Sequence, residues 1–380
     1  MITVLADDIT GAAEIAGIGL RFGWKVAFDF AFNLEAKIEQ VPSADVWIIA
    51  SDTRSMPEKS AVDTVQKIAV FLKENHITRI YKKIDSALRG HIIAETNALL
   101  DILAYKQALI LPANPEMGRI IRDGIYYIND IPLNETAFAD DPDFPATSAT
   151  VSEILNVETG HAPSLPSSQP EKFMTPDCIS VDDFNQYVQK IDTETLPMGG
   201  SAFFETVLQS QTTLDATRRD VARRVSTNAI AAIGNVTMLM ICGSTHENSK
   251  KFIRDTQAFD IIEIPQHELE QWSAKDIFAD KKRVLITVKN DVKNPVSPEK
   301  VKRSLARITK EIVENNSIEE LFIEGGATAY ACLQACGISS LVPVEEYSRG
   351  VVRMEIPDRE KLHITIKPGS YLWPEKLFLS

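Results

Sequence analysis

The strongest constraint on this chain is an alternation that runs through it twice: a short apolar run, a polar turn, then apolar residues at three- and four-residue spacing. In the first 112 residues the runs are Ile2–Ala6, Lys25–Phe30, Val46–Ser51, Arg79–Ile84 and Ala108–Leu111. Helical patterns separate them at Ala12–Phe22, Pro57–Glu74 and His91–Leu103, the second carrying Val62, Val65, Ile68, Ala69 and Leu72 on one face. Pro57 suits the first turn of its helix, where a missing N–H does no harm. The rhythm restarts with runs at Met238–Cys242, Ile261–Ile264, Val284–Val288, Leu321–Glu324 and His363–Lys367, and helical patterns at Ser297–Val313 and Ala329–Cys336. Such alternation predicts an α/β protein of two domains, each a mainly parallel sheet flanked by helices. A chain of 380 residues also exceeds the size at which one core stops growing. The expected division is 1–210, a connector at 211–235, and 236–380, with the active site in the interdomain cleft.

Between the two series the texture changes. Prolines multiply (Pro142, Pro145, Pro163, Pro166, Pro170), and Tyr126–Ile131 reads as a hairpin turning at Asn129-Asp130. Cys178–Ser180 and Asp183–Lys190 read as a further strand and helix, and Thr217–Arg224 as a charged, helix-prone connector whose arginines face solvent.

A net charge of −13 argues against a nucleic-acid or membrane-surface partner, so an anionic ligand must be held by a local cluster of cations. The cysteines form no disulfide or zinc pattern; Cys332 and Cys336 are expected as a buried core pair. The histidines are scattered, so no metal site is expected. Met1 leads directly into an apolar run, and no apolar stretch approaches the roughly 20 residues of a membrane helix, so a cytoplasmic protein is expected. Leu377-Phe378-Leu379 is compatible with a homo-oligomer interface, although packing on its own domain is the simpler expectation.

Ligands of open α/β sheets bind outside the carboxyl ends of the strands, so the residues just after each run are the informative ones. Asp7-Asp8-Ile9-Thr10-Gly11 follows the first run; Asp8 or Thr10 is expected to cap the next helix. Ser51-Asp52-Thr53-Arg54-Ser55 follows the third, and Arg54 is a planar fork suited to a carboxylate or phosphate. Lys83-Ile84-Asp85-Ser86 and Arg89 follow the fourth, with Ser86 as a candidate N-cap. Pro112–Arg119 is another rigid turn ending in arginine. In the second series the turns are Gly243-Ser244-Thr245, Gly325-Gly326-Ala327-Thr328 and Lys367-Pro368-Gly369-Ser370. Glycines there let backbone N–H groups approach phosphate oxygens, although no Walker or GxGxxG pattern is present.

The stretches LADDITGA (Leu5–Ala12), SDTRS (Ser51–Ser55), YKKIDSALRG (Tyr81–Gly90), PANPEMGR (Pro112–Arg119), GGSA (Gly199–Ala202), CGST (Cys242–Thr245) and EGGATA (Glu324–Ala329) carry a resemblance. In this order they resemble the four-carbon acid sugar kinases, which move phosphate from ATP to acids such as threonate, erythronate and 3-oxo-tetronate. The resemblance implies a sugar-acid-binding N-terminal domain and an ATP-binding C-terminal domain. It places Asp8, Arg54, Lys83, Ile84, Asp85, Ser86 and Arg89 at the sugar acid, and Ser244, Gly325, Gly326, Ala327, Thr328 and Gly369 at ATP. The family ending Lys-x-Gly-Gly-Phe-Gly is replaced here by Lys367-Pro368-Gly369-Ser370-Tyr371-Leu372-Trp373, and residues 137–235 diverge.

The expected chemistry is in-line phosphoryl transfer with Mg2+, in which positioning and charge stabilisation dominate. Arg54 or Arg89 would seat the acid's carboxylate, and Lys83 would assist. Asp8 or Asp85 would accept the proton of the attacking, terminal hydroxyl. The rival reading is a non-catalytic sensor that binds the same two ligands.

Overall fold

Each apolar run becomes a strand, and all but Ile261–Ile264, which lies at a sheet edge and is largely exposed, are buried mainly on both faces, as helices crossing over a parallel sheet require. The structure, a computed structural model, describes residues 1–33, 41–141, 144–157, 172–212, 236–274, 277–278, 281–289, 295–357 and 359–378. The expected connector from residue 213 onward, with Thr217–Arg224, lies outside the described residues, as do Pro142, Pro163, Pro166, Pro170 and Leu379.

The first half contains β1 (Ile2–Ala6), α1 (Ile9–Arg21), β2 (Val26–Phe30), β3 (Val46–Ala50), α2 (Glu58–Glu74), β4 (Ile80–Lys83), α3 (Ile92–Leu103) and β5 (Gln107–Leu111). An excursion follows through β6 (Arg119–Arg122), β7 (Ile125–Ile128), β8 (Ile131–Pro132), α4 (Val151–Leu155), β9 (Phe173–Met174) and α5 (Val181–Val188). Strand β10 (Thr195–Gly199) and helix α6 (Ser201–Thr212) return to the domain. The second half contains β11 (Met238–Cys242), α7 (Glu247–Asp255), β12 (Asp260–Pro265), β13 (Arg283–Lys289), α8 (Pro298–Asn315), β14 (Glu320–Glu324) and α9 (Gly326–Ala335). It ends in β15 (Ser340–Ser348), β16 (Val351–Ile356) and β17 (Arg359–Lys367).

Two α/β domains result. The strands β2-β3-β1-β4-β10-β5-β9 are parallel throughout. In the second half β12-β13-β11-β14-β17 are parallel, but β17-β16-β15 are antiparallel, so that sheet is mixed. The two sheets are continuous. β15 pairs antiparallel with β2, Ser340 opposite Asp29 and Leu341 opposite Phe28, and the ladder runs through 14 strands.

Helix α1 explains why the halves stay together. It is buried nearly all round (Ile9, Ala12, Ala13, Ile15, Ala16, Ile18), the pattern of a core helix rather than a surface one. Its cluster joins β1 and β3 to residues of β11, β13, β14 and β17 on one side of the long sheet. Polar ties across the halves reinforce it: Arg21 bonds Glu346, Tyr371 bonds Glu14, and Arg349 stands 3.7 Å from Glu116.

Several expectations meet the structure directly. The hairpin forms, with Asn129 and Asp130 both at positive φ (51° and 62°), the backbone of a type I′ turn. Cys332 and Cys336 are buried and unbridged. Leu377 and Phe378 pack on Phe252, Phe259, Phe322 and Trp373 of their own domain. Three local expectations are corrected. Pro57 is the N-cap of α2 and not within its first turn. Cys178 forms one bridge to Ile121, and the strand nearby is Phe173–Met174. Ser86 is not the cap of α3; that helix starts at Ile92 after His91. Among the described residues no helix is long and apolar enough to cross a membrane.

Candidate active site

Both domains reverse strand order beside a central strand, β1 in one and β11 in the other, and the polar turns gather at those two points. In the first domain Asp8 is the N-cap of α1: its Oδ1 accepts from Gly11 N at 3.1 Å, and Oδ2 accepts from Thr10 Oγ1. Arg54 reaches across from the β3 turn. It donates through Nε and Nη2 to Asp7 (3.1 and 2.9 Å), through Nη2 to Asp8 (2.7 Å), and its Nη1 lies 3.5 Å from Asp85.

Asp85 is the hub of the β4 turn. It accepts from Ala87 N at 3.0 Å and from Arg89 Nε and Nη2 at 2.9 Å each. These bonds replace the capping expected of Ser86: with Leu88 (φ 59°) and Gly90 (φ 99°) left-handed, the chain cannot turn helical until residue 92. Ser86 instead accepts from Arg119 through its hydroxyl and from Tyr126 OH through its carbonyl. Arg89 spends its third nitrogen on Asp141 at 2.9 Å, and Phe138 lies beneath both Arg89 and Arg119. Lys83 ends β4 with its ammonium on the Ile84 carbonyl at 2.8 Å.

The electrostatics follow from these contacts. Burial works against ionising Asp8, but Arg54 and Lys83 outweigh it and hold the carboxyl below its ordinary value. Burial opposes Asp85 as well, yet Arg54 and Arg89 hold it far below the carboxylate range. Asp52, on the β3 turn, goes the other way: burial, then the negative charge of Asp8, pushes it up to about 8.

The second-domain turns form a different surface. Gly325 is at φ 99°, and α9 begins after it with neither a side-chain cap nor an acidic residue in its first turn. The first intrahelical bond is made by Ala329 N, so the amides of Gly326, Ala327 and Thr328 have no helical partner. Such amides at a helix start form a ready anion cradle. Ser244 and Gly369 close it from β11 and β17: a Cβ at Gly369 would overlap Ser244 Oγ, and one at Gly243 would overlap Thr328 Oγ1. Lys367 is not in this cradle. It is buried, donating to Pro368 O (2.8 Å) and Tyr371 O (2.6 Å) 3.1 Å from Glu324, whose other oxygen accepts from Trp373 Nε1 at 2.7 Å. The altered ending therefore anchors its loop through Trp373.

The cradle and the charged cup abut. A Cβ built on Gly326 would lie 3.2 Å from Thr10 Cγ2 and 3.5 Å from Asp8 Oδ2. A sugar-binding N-terminal domain model matches residues 2–195, half of the chain, and a nucleotide-binding C-terminal domain model matches residues 239–371. The chain belongs to the four-carbon acid sugar kinase family. Among relatives, it is 32% identical to the D-threonate kinase of Bordetella bronchiseptica over 158 residues, 40% of this chain and 38% of that protein. It is 32% identical to the D-erythronate kinase of Heliobacterium modesticaldum over 162 residues (42% and 37%), and 30% identical to the 3-oxo-tetronate kinase of Haemophilus influenzae over 162 residues (42% and 38%). The chain thus spans under two-fifths of the length of these curated relatives. Two solved structures share the fold over nearly the full chain. A Haemophilus influenzae protein has TM-score 0.68 and 19% identity, covering 99% of this chain and 98% of that one. A Salmonella typhimurium protein has TM-score 0.72 and 18% identity, covering 97% and 96%.

In this family member the residues singled out in the sequence fall into two adjoining groups: Asp8, Arg54, Lys83, Ile84, Asp85, Ser86 and Arg89 in one, Ser244, Gly325–Thr328 and Gly369 in the other. Others became visible only in the fold. Arg119 had a signal, the rigid turn Pro112–Arg119. Asp141, Phe138 and Tyr126 lie on the excursion, and Asp52 looked like one more turn residue.

Proposed function

We propose that this protein is an ATP-dependent kinase that phosphorylates a four-carbon sugar acid (threonate, erythronate or 3-oxo-tetronate) on its terminal hydroxyl. The observation that carries this reading is the close approach of Gly326, at an open helix start, to Asp8, in a cup lined by four cations: a Cβ at Gly326 would touch the Asp8 carboxylate.

Arg54 and Arg89 act here by fixing Asp7, Asp8, Asp85 and Asp141, since each guanidinium is already occupied by protein carboxylates. Lys83 and Arg119 keep donors to spare: among the described residues each side chain makes one hydrogen bond, to Ile84 O and to Ser86 Oγ. They are therefore the groups proposed to seat the substrate carboxylate, with Asp8 and the Asp85-Ser86 turn orienting its hydroxyls. The amides of Gly326–Thr328, with Ser244 and Gly369, would cradle the nucleotide's phosphates and stabilise charge as it moves toward the leaving group. Among the described residues no group of three or more His, Cys, Asp or Glu side chains is arranged to hold a metal. Mg2+ would accordingly arrive on the phosphates of ATP, which it neutralises when bound.

The test is ATP consumption against a panel of C4 sugar acids. A kinase consumes ATP only with an acid present, and one phosphorylated acid appears per ADP. Binding of both ligands without turnover would instead identify a sensor.

A further inference from the structure

The kinase reading leaves the attacking hydroxyl without a proton acceptor. The expected candidates are both committed elsewhere. Asp8 accepts from Gly11, Thr10 and Arg54, and Asp85 is gripped on both oxygens by Arg89. Asp7 holds Arg54 with both of its own oxygens. Against burial, Arg54 and its neighbours hold Asp8 and Asp85 below the ordinary carboxylate range, which makes both weak bases.

Asp52 stands apart. Among the described residues its carboxylate has no hydrogen-bond or ion-pair partner. Its backbone is left-handed at φ 53°, a conformation open to Asp. The flanking residues fix the turn: Ser51 Oγ and Thr53 Oγ1 are buried 2.9 Å apart, and Ser51 Oγ donates to Ala6 O at 2.8 Å. The turn thereby presents Asp52 to a cavity of 1420 Å³ between α2 and the α8–α9 pair, which also reaches Ala327 of the amide cradle.

We infer that Asp52 is the catalytic proton acceptor, an inference that rests on the kinase reading. In the step, the hydroxyl oxygen bonds to the γ-phosphorus and the bridging P–O bond to the β-phosphate breaks, its electron pair leaving with ADP. The hydroxyl proton passes to an Asp52 carboxylate oxygen and then through the cavity to solvent. With its pKa pushed up to about 8 by burial and the negative charge of Asp8, Asp52 is a stronger base than the paired carboxylates, matched to accepting a proton near neutral to mildly alkaline pH. The charged and titratable groups facing it are Asp7 and Asp8 from the β1 turn, Arg54 from its own turn, Lys302 from α8 and Tyr330 from α9. Asp63 and Lys67 of α2 line the same cavity.

The test compares wild type with Asp52→Asn and Asp52→Glu by turnover, pH profile and calorimetric binding of ATP and of the acid. Asparagine tolerates left-handed backbone, so the first variant is expected to fold, and the second keeps a carboxylate if it does not. Asp52→Asn should lower kcat about 100-fold or more, in the range of general-base catalysis, while both ligands bind within about threefold of wild type. In wild type kcat/KM should rise with pH, reach half its limit near 8 and level above that; Asp52→Asn should lose that limb and Asp52→Glu should shift it. A kcat for Asp52→Asn within about threefold of wild type, or an unchanged limb in either variant, overturns the inference and leaves the kinase reading standing. A wild-type protein that phosphorylates no acid of the panel overturns the kinase reading, and this inference with it.

Discussion

Asp85→Asn tests whether the β4 turn is held together by charge. The wild-type carboxylate takes two bonds of 2.9 Å from Arg89 and one of 3.0 Å from the Ala87 amide, with Arg54 at 3.5 Å. Asparagine keeps the shape and one acceptor but sets an NH2 group against a guanidinium. Each bond from a charged donor is worth about 1.5–3 kcal/mol; one is lost outright and the other is left with a neutral acceptor, so the cost lies between one bond and two, roughly 2–6 kcal/mol. Arg89 is 29% exposed, and water will recover part of that, leaving about 2–4 kcal/mol. Guanidinium unfolding followed by circular dichroism should detect such a change easily. The pH dependence adds a sign. Arg54 and Arg89 overcome burial and depress Asp85 when folded, so its contribution is complete above its unfolded value, about 3.9, and is lost as acid titrates the folded carboxylate. The gap between wild type and variant should therefore be widest near neutrality and shrink below about pH 4. A gap under about 1 kcal/mol at neutral pH, or one unchanged down to about pH 3, would refute this account of the turn.

Three other perturbations separate the parts of the molecule. Lys82→Met strands Glu95, buried beneath the site 2.5 Å from the Lys82 ammonium, and should cost about 3–5 kcal/mol. Adding Glu95→Leu should restore most of that in denaturant unfolding; a double variant no more stable than the single one tells against the pair. Gly369→Ala drives a methyl into Ser244 Oγ and is expected to raise the KM for ATP about tenfold while the KM for the acid holds, so equal losses in both would point to general damage. Arg119→Ala should raise the KM for the acid about 10- to 100-fold, the worth of one charge-assisted bond, with ATP kinetics little changed. An unaltered acid KM in that variant removes Arg119 from the substrate's carboxylate.

What the sequence made legible were features encoded by local periodicity. Strands β1 to β5 emerge within a residue or two because each is a continuous apolar run bounded by polar turns, whereas β9 and β10 of the same sheet were not read. Strands β15 and β16 escaped notice: β15 carries Pro343 and the pair Glu345-Glu346, with a bulge between Pro343 and Glu345, where proline is tolerated. At the site, the turns and their two groupings could be read from the motifs, but the pairing of charges could not. Arg89 meets Asp141 across 52 residues, and Arg54 meets Asp7 across 47, so forks that look available for a ligand are filled by distant carboxylates. Asp52 is the converse case, since lack of a partner is a property of the fold and leaves no trace in spacing.

The β15–β2 ladder bears on how such a protein could be taken apart. Strand β15 pairs on one edge with β16 of its own half and on the other with β2 of the first, so each half alone would expose a raw sheet edge that only the other covers. Two polypeptides, one ending after α6 and the other beginning before β11, would meet by strand addition. Complementation between such fragments would recover the seam where Gly326 meets Asp8 without any peptide bond joining them.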